Sequence, residues 1–202
     1  MSLYRKLKRL LKPILKFLFR YTFLDLPQTL PDEGVIVCSN HISNWDALLL
    51  AVALEREITF MGKEELLKAP IIGRIVKEVG MIPLSRNGGD AAKLRQAVRE
   101  LKSGKLIVIF PQGHRQKRSP AETEFQPGVG MIALLSNALV LPVGIYTRHF
   151  RPHLFRKAAL KFGVPHRYEI PPAEGRAEEA RLLTEQIRRD VISLTESAKG
   201  AV

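Results

Sequence analysis

The chain has 202 residues, 46% of them hydrophobic, enough to bury a core without disulfides or a structural metal. Its single cysteine, Cys38, excludes an intramolecular disulfide framework and fits a reducing compartment. With 32 Lys and Arg against 20 Asp and Glu the formal net charge is +12, which calls for a polyanionic partner: nucleic acid, an anionic membrane surface or phosphorylated substrates.

From Leu3 to Tyr21 apolar and basic residues alternate, with no acidic residue between them. On a helical wheel Leu3, Leu7, Leu10, Leu11, Ile14, Leu15 and Leu18 share one broad face, and Arg5, Arg9, Lys12, Lys16 and Arg20 share the other. The segment is therefore expected to be a basic amphipathic helix, kinked at Pro13 on its polar side. Lysines interrupt any run of the roughly 20 apolar residues that crossing a bilayer requires, and there is no signal-peptide cleavage pattern. The helix is expected to lie on an anionic phospholipid surface, with residues 1–25 as a membrane-association segment ahead of an α/β domain over residues 26–202. An ordinary surface helix packed on its own domain is the alternative.

After turns at Leu26-Pro27 and Pro31-Asp32-Glu33-Gly34, strand-like and helix-like runs alternate. Strands are expected at Val35 to Cys38, Ile58 to Met61, Met81 to Leu84, Leu106 to Phe110, Val140 to Val143 and Leu160 to Val164. Helices are expected at Trp45 to Leu54, Ile71 to Glu78, Asp90 to Lys102, Gly128 to Asn137 and Ala177 to Ser197, with Asp90 as an N-cap. This alternation implies an α/β fold, in which ligands collect where strands end and helices begin.

Three such loops carry candidate chemistry. His41 and Asp46 follow the first strand five residues apart, a spacing that on a continuous helix would point them about 140° apart. The chain must bend between them, with Ser43 or Asn44 capping the next helix and Asp46 in its first turn, free to fold back on the imidazole. A carboxylate there fixes the tautomer and favours the imidazolium formed when the other ring nitrogen takes a proton. The loop Ser85-Arg86-Asn87-Gly88-Gly89 carries an arginine into a helix start. The loop Pro111-Gln112-Gly113-His114-Arg115 combines a glycine that admits close backbone approach with a guanidinium fork that matches phosphate oxygens. Arg86 and Arg115 are taken to sit on neighbouring strand ends. Cys38, in an apolar strand, is expected to be a buried structural thiol. The histidines outside the His41 loop lack metal-ligand spacing and no cofactor fingerprint occurs, so neither metal nor cofactor is expected.

Taken together, these blocks resemble the glycerolipid acyltransferases typified by bacterial 1-acyl-sn-glycerol-3-phosphate acyltransferase. His41 to Asp46 resembles the family's H-x-x-x-x-D block, and Gly80-Met81-Ile82-Pro83-Leu84-Ser85-Arg86 its second. Phe110-Pro111-Gln112-Gly113-His114-Arg115 resembles the third, usually F-P-E-G-T-R, and Val140-Leu141-Pro142-Val143 the fourth. Gln112 and His114 depart from the usual glutamate and threonine, in the block that binds the acceptor. The resemblance implies a single mixed, mostly parallel sheet flanked by helices. It implies transfer of an acyl group from an acyl carrier protein or coenzyme A thioester to the free hydroxyl of 1-acyl-glycerol-3-phosphate, at the cytoplasmic face of the cell membrane. His41 would be the general base and Asp46 its orienter. Arg86 and Arg115 would hold the acceptor phosphate beside Gln112, Gly113 and His114, and Lys63 would be a candidate donor to the oxyanion. Another lysolipid acceptor, such as a lyso-ornithine lipid, is the alternative within the family. Outside it stand a hydrolase without a nucleophile motif and a non-enzymatic basic protein; no nucleic-acid partner is expected.

Overall fold

The computed structural model describes residues 3–63, 80–84 and 90–202. The expected helix at Ile71 to Glu78 and the loop bearing Arg86 lie outside them. A seven-stranded sheet organises the chain, in the order β1 (Tyr21–Leu24), β7 (Ala158–Phe162), β6 (Leu139–Thr147), β2 (Val35–Ser39), β5 (Leu106–Ile109), β3 (Ile58–Lys63), β4 (Met81–Leu84). Every neighbouring pair is parallel except β6 with β7. The sheet is thus single, mixed and mostly parallel.

Because side chains alternate across a strand, β2 feeds two cores. Val35 and Val37 join one layer with α1 (Leu3–Phe19) and α2 (Asp46–Ala53). Ile36 and Cys38 join the other with α3 (Asp90–Lys102), α4 (Gly128–Ser136) and α5 (Arg176–Ser197). All four side chains are fully buried. The near-continuous apolar runs of β2 and β5 are what a strand covered on both faces requires.

Three departures from expectation have local causes. β1 is the first, since the helical pattern of the sequence continues to Tyr21. The chain instead leaves the helix at Arg20 in a left-handed conformation, φ +44°, and Tyr21 to Leu24 pair with Ala158 to Lys161. β1 is thus a strand of the sheet, and Leu15 and Phe19 of α1 are 1% and 5% exposed within the same core. β6 runs through Gly144 to Thr147, because β7 pairs with this second half in antiparallel register, Val143 with Phe162 through Thr147 with Ala158. β7 correspondingly begins at Ala158 and ends before Val164, which is exposed.

Helix α1 is continuous through Pro13, whose side is exposed. Its apolar face divides. Leu15 and Phe19 are buried and Leu11 and Leu18 pack against them, whereas Leu10, Ile14 and Phe17 are 63%, 45% and 71% exposed. Lys8 reaches across to donate to the carbonyl of Leu54 at the end of α2. Among the described residues no helix is long and apolar enough to cross a membrane.

Candidate active site

β2 parts from the sheet at Asn40, and the way it does so fixes everything that follows. Past the last ladder pair, Ser39 with Val143, the buried side-chain amide of Asn40 takes over: its Nδ2 donates to Ile145 O at 2.9 Å and its Oδ1 accepts from Ile145 N at 2.8 Å. A side chain thus imitates one more peptide of the strand, satisfying two backbone groups in β6 that would otherwise be buried unpaired. Thr195 of α5 adds a longer contact to the same Oδ1, at 3.4 Å. The backbone of β2 is freed to turn while its anchor stays in the sheet.

The turn is closed by one carboxylate oxygen. Oδ2 of Asp46, which is 1% exposed, accepts from Ile42 N at 2.7 Å, Ser43 N at 2.8 Å and His41 Nδ1 at 2.9 Å. The expected cap at Ser43 or Asn44 is replaced. Trp45 occupies the N-cap position without a side-chain bond, and Asp46, first residue of α2, folds back over the turn that precedes it. Ser43 Oγ contributes a bond to Trp45 N at 3.2 Å. With Nδ1–H committed to an acceptor-only carboxylate, the lone pair of His41 lies on Nε2. The ring stacks on Phe110, centroids 4.3 Å apart and planes 22° from parallel, and the histidine side chain is 18% exposed.

The loop after β5 holds the same histidine by its backbone. Gln112 Oε1 accepts from His41 N at 2.7 Å, and Gln116 N donates to His41 O at 2.8 Å. Gln112 is 3% exposed, and its Nε2 donates to Thr123 Oγ1 at 2.6 Å, so both ends of its amide are engaged inside the protein. Gly113 turns the loop at φ +70° and is exposed, as are His114 and Arg115; His114 Nε2 lies 2.7 Å from Gln116 Nε2.

The structure therefore brings His41, Asp46 and Gln112 into direct contact and sets Gly113, His114 and Arg115 on the adjoining rim. Lys63 ends β3, in register with Leu84 of β4. Arg86 is beyond the described residues. The expectation that Arg86 and Arg115 leave neighbouring strands is corrected: β3 lies between β4 and β5, so the two loops spring from points roughly 10 Å apart. Cys38 is fully buried and burial pushes its thiol pKa up, which leaves it inert. Among the described residues no cluster of potential ligands could hold a metal. Asn40 went unread in the sequence, since a polar residue at a strand end carries no sign that it will mimic backbone.

An α/β sheet with this His–Asp turn at the carboxyl end of a central strand defines a class: residues 23–146, more than half of the chain, match the family model described as Acyltransferase, and the chain belongs to that family. It is similar to the 1-acyl-sn-glycerol-3-phosphate acyltransferase of Bacillus subtilis, 27% identical over 132 residues, 64% of this chain and 64% of that protein. It is also similar to the lyso-ornithine lipid O-acyltransferase of Pseudomonas aeruginosa, 29% identical over 119 residues, 58% of this chain and 45% of that protein. The chain thus spans about half to two thirds of the length of these relatives. The crystal structure of the 1-acyl-sn-glycerophosphate acyltransferase PlsC from Thermotoga maritima shares the fold, with a TM-score of 0.78 over 97% of this chain and 79% of that one, at 24% identity.

Proposed function

We propose that the protein moves a fatty acyl group from an acyl carrier protein or coenzyme A thioester to the free hydroxyl of 1-acyl-glycerol-3-phosphate, giving phosphatidic acid at the cytoplasmic face of the membrane. The observation that carries this reading is the 2.9 Å contact between His41 Nδ1 and an Asp46 oxygen already bound by two backbone N–H groups. Nε2 takes the hydroxyl proton as the oxygen attacks the thioester carbonyl. The tetrahedral intermediate collapses, the C–S bond breaks, and the thiolate leaves with the proton returned by the imidazolium. The thioester is already activated, so no covalent enzyme nucleophile and no cofactor beyond the donor is needed.

Asp46 acts through His41: it holds the tautomer and stabilises the imidazolium. Gln112 is a positioning residue, holding the histidine backbone, while Arg115 with Arg86 binds the acceptor phosphate and Lys63 supports the oxyanion. Leu10, Ile14 and Phe17 on the free face of α1 take the protein to the lipid surface. A lyso-ornithine lipid is a second acceptor to test, because a relative carrying that activity in its name matches at 29% identity and because Gln112 and His114 depart from the family's acceptor block.

The test is purified protein with each donor and a panel of lysolipids, product identified by mass spectrometry. Phosphatidic acid formed by the parent and lost in a folded His41→Ala variant is the expected result. A folded His41→Ala protein with near-normal turnover would end the proposed mechanism.

A further inference from the structure

The strand order puts four chain segments at one end of the sheet: the last turn of α1, the His41 turn, the loop after β5, and the connection from Arg148 to Lys157 that joins β6 to β7. Nothing in the acyl-transfer reading uses the last of these. Its sequence, Arg-His-Phe-Arg-Pro-His-Leu-Phe-Arg-Lys, has no acidic residue, and the chain has none anywhere between Glu124 and Glu169. Phe150 is its anchor, half-buried with its ring edge-on to Tyr146 at 5.3 Å. The rest of the loop, the half-buried Pro152 apart, is exposed.

Two kinds of exposed group lie side by side there. Leu154 and Phe155 are 53% and 55% exposed, and Phe155 meets Phe17 of α1 edge to face at 5.7 Å, with its N–H donating to Leu18 O at 2.5 Å. The apolar stripe left free on α1 thus continues onto the loop. Behind it Lys117, Arg148, His149, Arg151, His153 and Arg156 surround an open pocket of about 450 Å³. Among the described residues none of these six is paired with a carboxylate. His153 and Arg156 also line the narrow crevice that leads to Ser43 and Asp46.

We propose that the Arg148–Lys157 loop is a second membrane-contact element, in which Leu154 and Phe155 enter the lipid beside Phe17 while the collar of Lys117, Arg148, Arg151 and Arg156 takes the phosphates of anionic lipids. A water-facing protein has no use for exposed Leu and Phe rimmed by unpaired cations, whereas the acyl boundary and headgroup layer of a bilayer offer each its partner. The acid-free N-terminal helix and the acid-free loop converge on one surface, so the occupant must be anionic and apolar at once; a lipid surface is both. The inference deepens the membrane reading above, and it fixes which end of the sheet faces the lipid: the end that carries His41.

Co-sedimentation of the full chain with vesicles tests it, using equal parts phosphatidylcholine and phosphatidylglycerol against phosphatidylcholine alone. Leu154→Ser with Phe155→Ser should weaken binding to the mixed vesicles about tenfold or more. Arg148→Gln with Arg151→Gln should weaken it by about fivefold per charge at low salt and flatten its salt dependence. A third variant, Leu10→Ser with Ile14→Ser, probes α1 separately, and far-ultraviolet dichroism checks that all three are folded. Undiminished binding by both loop variants overturns the loop proposal, and if the α1 variant alone fails to bind, the helix reading survives it. Loop variants that keep vesicle binding but lose affinity for an acidic acyl carrier protein would assign the surface to a protein and equally overturn the proposal. The readout is binding, so it does not depend on whether acyl transfer is the right chemistry.

Discussion

Gln112 carries the test that separates a proton shuttle from a scaffold. Its carbonyl oxygen receives the His41 N–H and its amide nitrogen gives to Thr123, with the side chain closed off from solvent. Gln112→Glu keeps an acceptor for His41, and the Thr123 hydroxyl, which donates to Pro120 O in the parent, can turn its proton to the new carboxylate, so turnover should change by less than about tenfold, roughly 1.4 kcal/mol in barrier. Gln112→Ala leaves the His41 N–H without its partner and should cost about 1–3 kcal/mol in stability along with a larger loss of turnover. Steady-state rates and thermal melts on both variants decide it; a Gln112→Glu gain of many orders of magnitude would make the position catalytic. His41→Ala and Asp46→Asn are expected to lower turnover by about 10²–10⁴-fold with the fold intact. Arg115→Lys should raise the KM for the phosphate-bearing acceptor more than that for the donor, since lysine cannot reproduce a bidentate fork. Cys38 supplies a pH signature. Burial raises its pKa above the ordinary value of 9.0, so the folded state favours the neutral thiol; the stability this contributes is complete below pH 9 and lost as pH rises beyond it. Between pH 8 and pH 10 the parent should therefore lose more Tm than Cys38→Val does, the other titrations being common to both.

At the scale of elements, what could be read from the sequence followed from periodicity and what could not followed from partners. Apolar runs mark six of the seven strands, most plainly β2 and β5, where burial on both faces leaves no other composition. The spacing of His41 and Asp46 was enough to demand a bend. β1 escaped because nothing in Tyr21 to Leu24 outweighs 17 preceding residues of helical pattern; its identity as a strand comes from β7, more than 130 residues further on. The second half of β6 escaped because Gly144 reads as a stop. In the fold that glycine admits α5: a Cβ there would fall 2.2 Å from the backbone nitrogen of Thr195. Gly144→Ala must push α5 away from β6, and with it Thr195 from Asn40. The expected destabilisation is about 1–3 kcal/mol, a few degrees in Tm for a domain of this size, measurable by calorimetry. A Tm within one degree of the parent would mean that the helix yields freely.

For the whole molecule the sign of the charge matters less than its arrangement. The net +12 left nucleic acid and membrane equally open, and composition alone could not choose between them. Folding leaves Leu10, Ile14, Phe17, Leu154 and Phe155 in solvent, an apolar ridge that suits the lipid surface proposed above and that a nucleic acid cannot use. Vesicle binding should accordingly weaken with added salt yet level off at a residual set by the apolar ridge, whereas purely electrostatic association would continue to fall. Co-sedimentation across a salt series distinguishes the two curves.

The pairing of β1 with β7 also orders events on the ribosome. Tyr21 to Leu24 emerge well before Ala158 to Lys161, which are made more than 130 residues later, at 5–20 residues per second roughly 7 to 27 s. Throughout that interval the N-terminal strand has no partner, and Leu15 and Phe19 lack much of the core that will cover them. A nascent chain cut off before Ala158 should leave α1 open to protease, and one extended past Phe162 should protect it. A segment in need of an apolar refuge is thus made long before the strand that covers it, and on the membrane reading proposed above a nearby bilayer can receive it before the sheet closes.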